Sequence, residues 1–366
     1  MITTTFPIFA TGLEHVIEVE HGREEQRTHS QNQHVDDRIA SAVRDGLSGF
    51  PKKLPPWLFY DRVGSRLFDE ITERPEYYLT RTERGILVDH ATKMIERAAE
   101  GRRLRITELG AGSAGKTKLL LKAAVARQGQ VIYEPLDVSA SALEHAKCGI
   151  EAEIPEVRVC PKVMDYTHQN QHSNGRPHVV QPHDGFDSLD FDYAPVSERR
   201  LVLYIGSSIG NFEPHEAERV LRRVRAGLRK GDGLLLGVDL VKDIPTLLAA
   251  YDDFAGVTAD FNLNMLARLN RELGAEFTLD SFEHHAVWNE AESRIEMHLE
   301  SRATQKVTIA ALKLEACFAK GETIHTECSY KYKPGQAEAM LKDAGFAETE
   351  GWSDERGWFN VCLARV

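Results

Sequence analysis

The stretch LRITELGAGSAGKTKLLLKAAVA, residues 104–126, decides the fold. Leucine, isoleucine and threonine in its first six residues predict a buried strand over residues 104–109. A glycine-rich turn follows at residues 110–115, and the leucines and alanines after it predict a helix over residues 116–126. A strand that ends in glycines just before a helix is typical of the first unit of a parallel α/β sheet.

The same alternation continues along the chain. Further strands are predicted at residues 130–136, 157–163, 200–205 and 233–238. Strands that alternate with helices predict an α/β fold with a doubly wound, Rossmann-like parallel sheet covered by helices on both faces. After residue 239 the pattern changes to helical residues 245–273 and then to strand pairs. This change predicts a second, α+β unit inserted into the first.

Composition and charge exclude several classes of protein. The 366 residues carry a formal net charge of -11, so we expect no nucleic acid as partner. No apolar run approaches the roughly 20 residues that span a bilayer, and the N-terminus lacks the pattern of a signal peptide. We therefore expect a cytoplasmic protein without a membrane partner, and a monomer. The five cysteines form no Cys-x-x-Cys pair and no His/Asp/Glu cluster has ligand spacing, so no metal site is expected.

The glycine turn predicts a ligand, because glycines let the backbone pass close to a bound group. Its Gly-x-Gly-x-x-Gly spacing over residues 110–115 also serves dinucleotide-binding enzymes, so a nicotinamide oxidoreductase stays open on this motif. Asp137 and Asp165 end the next two predicted strands, where carboxylates can accept from ribose hydroxyls and from an adenine amino group. Glu108, just before the glycines, is more usual in S-adenosylmethionine enzymes. Together these acids favour that cofactor.

Longer motifs lie outside the glycine turn. They are LPP (54–56), FYD (59–61), PEYY (75–78), TRTE (80–83), IGSSIGN (205–211), LVKD (240–243), AYDD (250–253) and FEH (282–284). They resemble motifs of the histidine Nα-methyltransferases that begin ergothioneine synthesis. The resemblance runs from about residue 35 to the end and is far more specific than the glycine turn.

This resemblance implies S-adenosylmethionine-dependent trimethylation of the α-amino group of free L-histidine, which yields hercynine. The implied cofactor contacts are Gly110, Lys116, Asp137, Asp165 and Tyr166. The implied substrate contacts are Tyr77, Gly206, Asn211, Tyr251, Met297, Glu327 and Ser329. Among these, Tyr77, Tyr251 and Asn211 are expected to be catalytic, because they would orient the amine and the carboxylate.

Residue types support this division of the site. Glu327 and Ser329 are two apart on a predicted strand, so they share a face and can bind the two imidazole nitrogens. Without the resemblance, an exposed polar strand face would be the simpler interpretation. Likewise, Asn211 could cap the helix that begins at residue 214, and Met297 could merely fill the core. The two tyrosines could equally be core aromatics.

The chain order predicts three parts. Residues 1–34 are polar and predict a flexible N-terminal arm. Residues 35–82 plus 241–330 are expected to form the amino-acid substrate domain. Residues 83–240 plus 331–366 are expected to form the cofactor-binding methyltransferase domain. Methylation of another amine, such as a tryptophan derivative, and a non-catalytic binding protein remain alternatives, although an indole pocket would have little use for Glu327.

Overall fold

The computed structural model describes residues 36–112, 114–164, 189, 191 and 195–366. The predicted N-terminal arm, residues 1–34, and the predicted adenine contacts Asp165 and Tyr166 lie outside the described residues. Among the helices in the described ranges, none is long and apolar enough to cross a membrane.

The elements follow the predicted alternation of strands and helices. The strands are β1 (Lys52–Lys53), β2 (Arg103–Leu109), β3 (Val131–Asp137), β4 (Val157–Val159), β5 (Lys162–Val163), β6 (Glu198–Tyr204), β7 (Gly233–Asp239), β8 (Phe282–Asn289), β9 (Arg294–Ser301), β10 (Gln305–Ile309), β11 (Leu314–Phe318), β12 (Thr323–Tyr330), β13 (Glu348–Ser353) and β14 (Phe359–Arg365). The helices are α1 (Asp37–Ser48), α2 (Arg62–Thr72), α3 (Tyr78–Ala99), α4 (Thr117–Gln128), α5 (Ala140–Glu153), α6 (Pro214–Ala226), α7 (Ile244–Ala249), α8 (Val257–Leu273) and α9 (Gln336–Asp343).

The larger sheet has eight strands in the order β13-β14-β7-β6-β2-β3-β4, with β5 also paired to β3. The pairings of β2, β3, β4, β5, β6 and β7 are parallel, whereas β14 is antiparallel to both β7 and β13. This arrangement confirms the predicted Rossmann-like α/β fold. The glycine turn lies between β2 and α4, as the sequence predicts.

Helices cover both faces of the larger sheet because residues alternate along each strand. In β6, Leu201 and Leu203 pack with α3, α4 and α5, whereas Val202 and Tyr204 pack with α6 and α9. All four side chains are fully buried, and the burial of each leucine or valine stabilises the fold by about 1.5–3 kcal/mol. With both faces covered, the carboxyl edge of the sheet is the place left for ligands.

The smaller sheet has four strands in the order β1-β12-β9-β8, and β10 pairs with β11 as a separate hairpin. Its inner face packs on α7 and α8 through Leu247, Met265 and Leu299. Phe59 stacks on Phe261 of α8 with ring centroids 4.5 Å apart. Strands of this sheet come from residues 35–82 and 241–330, but the substrate-binding role of that unit stays a prediction.

Two predicted elements are wrong in detail. The single helix predicted over residues 245–273 is divided into α7 and α8. The carboxylate of Asp253 accepts the N–H groups of Val257 and Thr258 and so starts a new helix after Gly256. The strand predicted over residues 157–163 is divided into β4 and β5 around Pro161, which has no N–H to donate.

The two sheets meet where β7 ends. The N–H of Tyr332 donates to the backbone oxygen of Asp239 at 2.9 Å, and the N–H of Val241 donates to the oxygen of Tyr332 at 2.9 Å. These bonds attach the chain just after β12 to the carboxyl edge of the larger sheet. They bring Glu327 and Ser329, both on β12, to the edge where ligands bind.

Two helical glycines predict opposite effects on stability. A Cβ on Gly64, in the first turn of α2, would lie 1.7 Å from the backbone oxygen of Phe59, so Gly64→Ala lowers the free energy of unfolding by about 1–3 kcal/mol. A Cβ on Gly85, exposed within α3, would meet nothing within 4 Å. Because alanine favours a helix more than glycine does, Gly85→Ala should raise the free energy of unfolding by about 0.5–1 kcal/mol. Urea unfolding measures both values. Shifts of the same sign would contradict this packing.

Candidate active site

The glycine turn presents bare backbone at the edge of the larger sheet. Gly110 and Gly112 have φ values of +66° and +50°, in the left-handed region that favours glycine. A Cβ at Gly112 would meet nothing within 4 Å, because this part of the turn faces an open cleft. The N–H of Gly110 donates to the backbone oxygen of Leu136 at 2.8 Å, which ties the turn to β3.

Asp137 ends β3 beside this turn. Its carboxylate accepts the N–H groups of Gly112 and Ser139, both at 2.9 Å. Burial raises the pKa of this carboxyl, and the two backbone hydrogen bonds act in the opposite direction. A carboxylate has about four acceptor positions, so this one can still accept hydroxyl groups from a ligand in the cleft.

Glu108 fixes the start of α4 beneath the turn. Its two oxygens each lie 2.8 Å from the hydroxyl of Thr117, the first residue of α4, and it also accepts from the hydroxyl of Tyr133. Burial raises the pKa of Glu108 to about 7, although both hydroxyl donors lower it. Its contacts therefore position the turn.

Lys116 lines the cleft and pairs with Glu83 of α3, and its predicted contact with a cofactor stays a prediction. Glu83 is fully buried, and its second oxygen accepts the N–H of Gly206 at 2.9 Å. Gly206 has a φ of +85°, and a Cβ there would lie 3.3 Å from the Nζ atom of Lys116. Glu83 therefore links the start of α4 to the chain after β6. The sequence shows Glu83 within the TRTE motif but does not reveal this role.

The residues predicted to contact the amino acid line one inner cavity of about 50 Å³. They are Tyr77, Gly206, Asn211, Tyr251, Met297, Glu327 and Ser329. Four of them also line a much larger cleft of about 2330 Å³, which contains Gly110, Lys116 and Asp137. The structure thus brings the predicted substrate residues together, and their cavity adjoins the cleft beside the glycine turn.

Glu327 places a carboxylate in this cavity. Burial raises its pKa to about 7, while the charge of Lys331 lowers it. Among the described residues, the amide nitrogen of Asn211 is the sole hydrogen-bond donor to this carboxylate, at 3.5 Å. Met297 lies directly opposite Glu327 on β9 and is buried. The carboxylate can therefore accept further hydrogen bonds from a ligand beside an apolar wall.

Two tyrosines form another wall of the cavity. The rings of Tyr77 and Tyr251 meet edge to face with centroids 6.3 Å apart. Burial holds the pKa of both phenols well above their usual range, so both stay protonated at neutral pH and can donate hydrogen bonds. The hydroxyl of Tyr251 lies 2.7 Å from the Oγ atom of Ser329. It therefore faces the predicted imidazole end, and its predicted contact with the amine stays a prediction.

A buried charged network lies behind the cavity. The Nζ atom of Lys331 lies 2.8 Å from the Tyr251 hydroxyl, 2.8 Å from the Ser329 hydroxyl and 2.9 Å from an oxygen of Asp239. Asp239 also accepts from the Tyr78 hydroxyl at 2.6 Å. The prediction missed this network. The alternation of residues 327 and 329 on β12, continued to residue 331 just after the strand, could have indicated Lys331, because every second residue shares a face.

Glu296, His298 and His325 form a separate cluster, with ligand atoms that all lie within 4.8 Å of one another. Sequence spacing does not reveal it, because His325 comes from β12, next to β9. Glu296 and His298 face away from Met297, on the other side of the sheet. The carboxylate of Glu296 is bonded to Arg294 at 2.8 Å and to His298 at 3.1 Å. These contacts form an ion-pair network separate from the cavity.

Comparison with known proteins identifies the family. The sequence pattern of the histidine-specific, S-adenosylmethionine-dependent methyltransferases matches residues 39–366. The chain belongs to this family. It is 44% identical over 324 residues to the histidine N-alpha-methyltransferase of Mycolicibacterium smegmatis, with 88% of this chain and 93% of the relative covered. It is 41% identical over 322 residues to the enzyme of the same name from Mycobacterium tuberculosis, with the same shares covered.

A third relative is ergothioneine biosynthesis protein 1 of Neurospora crassa. The identity is 30% over 308 residues, which cover 83% of this chain and 32% of that protein. The family membership confirms the resemblance inferred from the motifs and makes the protein a methyltransferase. It also overturns the nicotinamide alternative, which depended on the glycine spacing alone.

Glu327 predicts a pH-dependent effect on stability. Its pKa of about 7 in the folded protein exceeds the value of about 4.3 for an exposed glutamate, so folding favours the protonated acid. The resulting stabilisation is present below the unfolded pKa and is lost as the pH rises through about 7. The Glu327→Gln variant has no carboxyl to ionise and does not lose this stabilisation. Its free energy of unfolding, minus that of the wild type, should therefore increase by about 1–3 kcal/mol between about pH 5 and about pH 8.

Urea unfolding of both proteins at the two pH values measures this difference. Glu296→Gln is the matched control, because an ion-pair network on the opposite face of the sheet holds the pKa of Glu296 low, at about 2. If the difference in free energy of unfolding between Glu327→Gln and the wild type did not change with pH, ionisation of this carboxyl would not destabilise the folded protein.

Proposed function

We propose that the protein transfers three methyl groups from S-adenosylmethionine to the α-amino group of free L-histidine, forming hercynine, as the first step of ergothioneine biosynthesis. The inner cavity carries this proposal, because it combines Glu327 and Ser329 with Tyr77 and Asn211 beside the cofactor cleft. The names of the two mycobacterial relatives support histidine as the substrate.

The imidazole would lie between Glu327 and Ser329. Glu327 can accept from one ring N–H, and the Ser329 hydroxyl can bond to the other ring nitrogen. Met297 would contact the ring as an apolar, adaptable wall. This arrangement pairs both polar atoms of the ring in a buried place, where an unpaired polar atom costs about 1–3 kcal/mol.

The amino and carboxylate groups would lie at the end of the cavity that adjoins the cleft. Asn211 ends a short 3₁₀ helix, Ser208–Asn211, which follows β6 at the carboxyl edge of the sheet. Its side-chain amide and the phenol of Tyr77 can each donate to a carboxylate. In this orientation the amine points toward the glycine turn.

The described residues of the cleft fit S-adenosylmethionine. Gly110 and Gly112 offer backbone that a ligand can approach closely, and the carboxylate of Asp137 can accept both ribose hydroxyls. Lys116 lines the same cleft and is held in place by its ion pair with Glu83, so its side chain is positioned to contact the cofactor. Bound in this cleft, the cofactor supplies a methyl group on a positively charged sulfur.

The protein would act on this reaction mainly by positioning. Holding a neutral amine in line with the methyl group contributes on the order of 7–11 kcal/mol. Since the phenols of Tyr77 and Tyr251 stay protonated, neither accepts the amine proton as a phenolate, and we assign that proton to water in the cleft. The face of Tyr77 can hold the methylated cation through cation–π attraction.

A tryptophan derivative fits the cavity less well. An indole has one N–H and no acceptor nitrogen, so it would pair with Glu327 and leave the Ser329 hydroxyl without a ring partner. The unpaired buried group costs about 1–3 kcal/mol, which corresponds to a preference for histidine of about 5-fold to 150-fold.

Mass spectrometry tests the reaction directly. Purified protein is incubated with S-adenosylmethionine and each free amino acid in turn, and mass gains of one to three methyl groups are expected with histidine alone. Methylation of another amine instead would contradict the substrate. Cofactor binding without methylation of any amino acid would favour the non-catalytic alternative.

Glu327→Gln tests the assignment of the imidazole contact. The amide still accepts a hydrogen bond but lacks the charge that strengthens it, so kcat/KM for histidine falls about tenfold, mainly through KM. Steady-state kinetics measures the change, and Glu296→Gln, on the opposite face of the sheet, should leave KM unaltered. An unchanged KM in Glu327→Gln would place the imidazole elsewhere.

A further inference from the structure

Lys331 is a buried cation directly behind the inner cavity. Its side chain has no exposed surface, and its Nζ atom lies within 2.9 Å of three oxygens, those of Tyr251, Ser329 and Asp239. An ammonium has three donors and no acceptor, so it matches three acceptor oxygens. The buried carboxylate of Asp239, at 2.9 Å, pairs with the charged form of this side chain.

The ammonium fixes what the two hydroxyl groups can offer to a ligand. Tyr251 and Ser329 each accept one hydrogen bond from Lys331 and share one with each other, at 2.7 Å. The pair has two hydroxyl hydrogens. One forms the hydrogen bond between Tyr251 and Ser329, and the other is left to donate into the cavity. A phenol is a stronger acid than a serine hydroxyl, so we take Tyr251 as the donor within the pair. Both lone pairs of the serine oxygen are then occupied, and Ser329 can only donate to a ligand.

We propose that Lys331 is a positioning residue that makes the Tyr251–Ser329 pair a hydrogen-bond donor and thereby admits histidine only with a neutral imidazole ring. This inference rests on the proposed function. Glu327 accepts from the ring N–H, and Ser329 donates to the ring nitrogen that carries a lone pair. A protonated ring has no such lone pair, and it would place a second positive charge beside the ammonium of Lys331.

The charges around the cavity agree with this selection. Several titratable or charged groups of the described residues face Lys331 or its hydroxyl partners. They are Asp239 at the end of β7, Lys242 after it, Tyr77 and Tyr78 at the start of α3, Tyr251 after α7, and Glu327 and Cys328 on β12. Asp239 pairs with both lysines, Lys242 at 2.6 Å and Lys331 at 2.9 Å. Two cations thus share one carboxylate behind Ser329 and repel a third cation on its other side. At about pH 5.5 Glu327, with its pKa raised by burial to about 7, is protonated and does not offset this repulsion.

Binding measurements with two ligands test this selection. The dissociation constants of histidine and of its isostere with a 1,2,4-triazole ring, which stays unprotonated under these conditions, are measured by calorimetry with S-adenosylhomocysteine present. Both ligands present the same ring N–H to Glu327, so the protonation of this carboxyl beside a neutral ring contributes equally to the two constants. For the wild type, the dissociation constant of histidine divided by that of the triazole ligand should rise about tenfold when the pH falls from about 7.5 to about 5.5. An imidazole ring has a pKa of about 6.5, so only about a tenth of the histidine molecules carry a neutral ring at the lower pH.

Lys331→Met should reduce that rise to less than about twofold, because the repelling charge and the donor to Ser329 are both removed. Lys242→Met is the matched control. It removes a lysine from the same carboxylate without touching Tyr251 or Ser329, and it should keep the tenfold rise. The same rise in Lys331→Met as in the wild type would overturn the inference.

A measurement on the wild type keeps the inference testable if Lys331→Met does not fold. The nitrogen chemical shifts of ¹⁵N-labelled histidine bound to the protein should show a neutral ring near pH 5.5, where free histidine is mostly protonated. A protonated bound ring, with histidine still methylated, would overturn this inference alone. A wild type that methylates a different amine and not histidine would overturn the proposed function and this inference with it.

Discussion

Asp239 is the residue on which the arrangement of both sheets depends. It ends β7, it has no exposed surface, and its carboxylate binds Lys331, Lys242 and the hydroxyl of Tyr78. A buried carboxylate must be paired, because leaving it without a partner costs several kcal/mol. The chain after β12 and the start of α3 are therefore held at the carboxyl end of the larger sheet. The backbone hydrogen bond between Asp239 and Tyr332 reinforces this connection between the two sheets, which we call the joint.

This joint explains why one site can serve two ligands. The larger sheet supplies the glycine turn and Asp137, both of which lie at its carboxyl edge. The smaller sheet supplies Glu327, Ser329 and Met297 from strands that reach the same edge. Methyl transfer needs donor and acceptor in line, and packing two sheets together at a buried ion pair holds them at a fixed separation.

The general fold could be predicted from the sequence because its signals are local. Alternating strands and helices indicate a parallel sheet, and glycines between β2 and α4 mark the turn. The predicted substrate residues, which the resemblance to the family implied, line one cavity. Three features depend on contacts between distant segments, which no local pattern shows: the pairing of Lys331 with Asp239, that of Lys116 with Glu83, and the direction of the Tyr251 hydroxyl. The division of the predicted helix over residues 245–273 depends on one capping carboxylate within an otherwise helical pattern.

A crystal structure of the protein with histidine and S-adenosylhomocysteine would show how the two ligands bind. We expect the imidazole ring within hydrogen-bonding distance of Glu327 and Ser329, the amine directed toward the sulfur, and the cofactor along Gly110, Gly112 and Asp137. A histidine bound in the opposite orientation, with its carboxylate against Lys331 and its ring in the cleft, would contradict this arrangement.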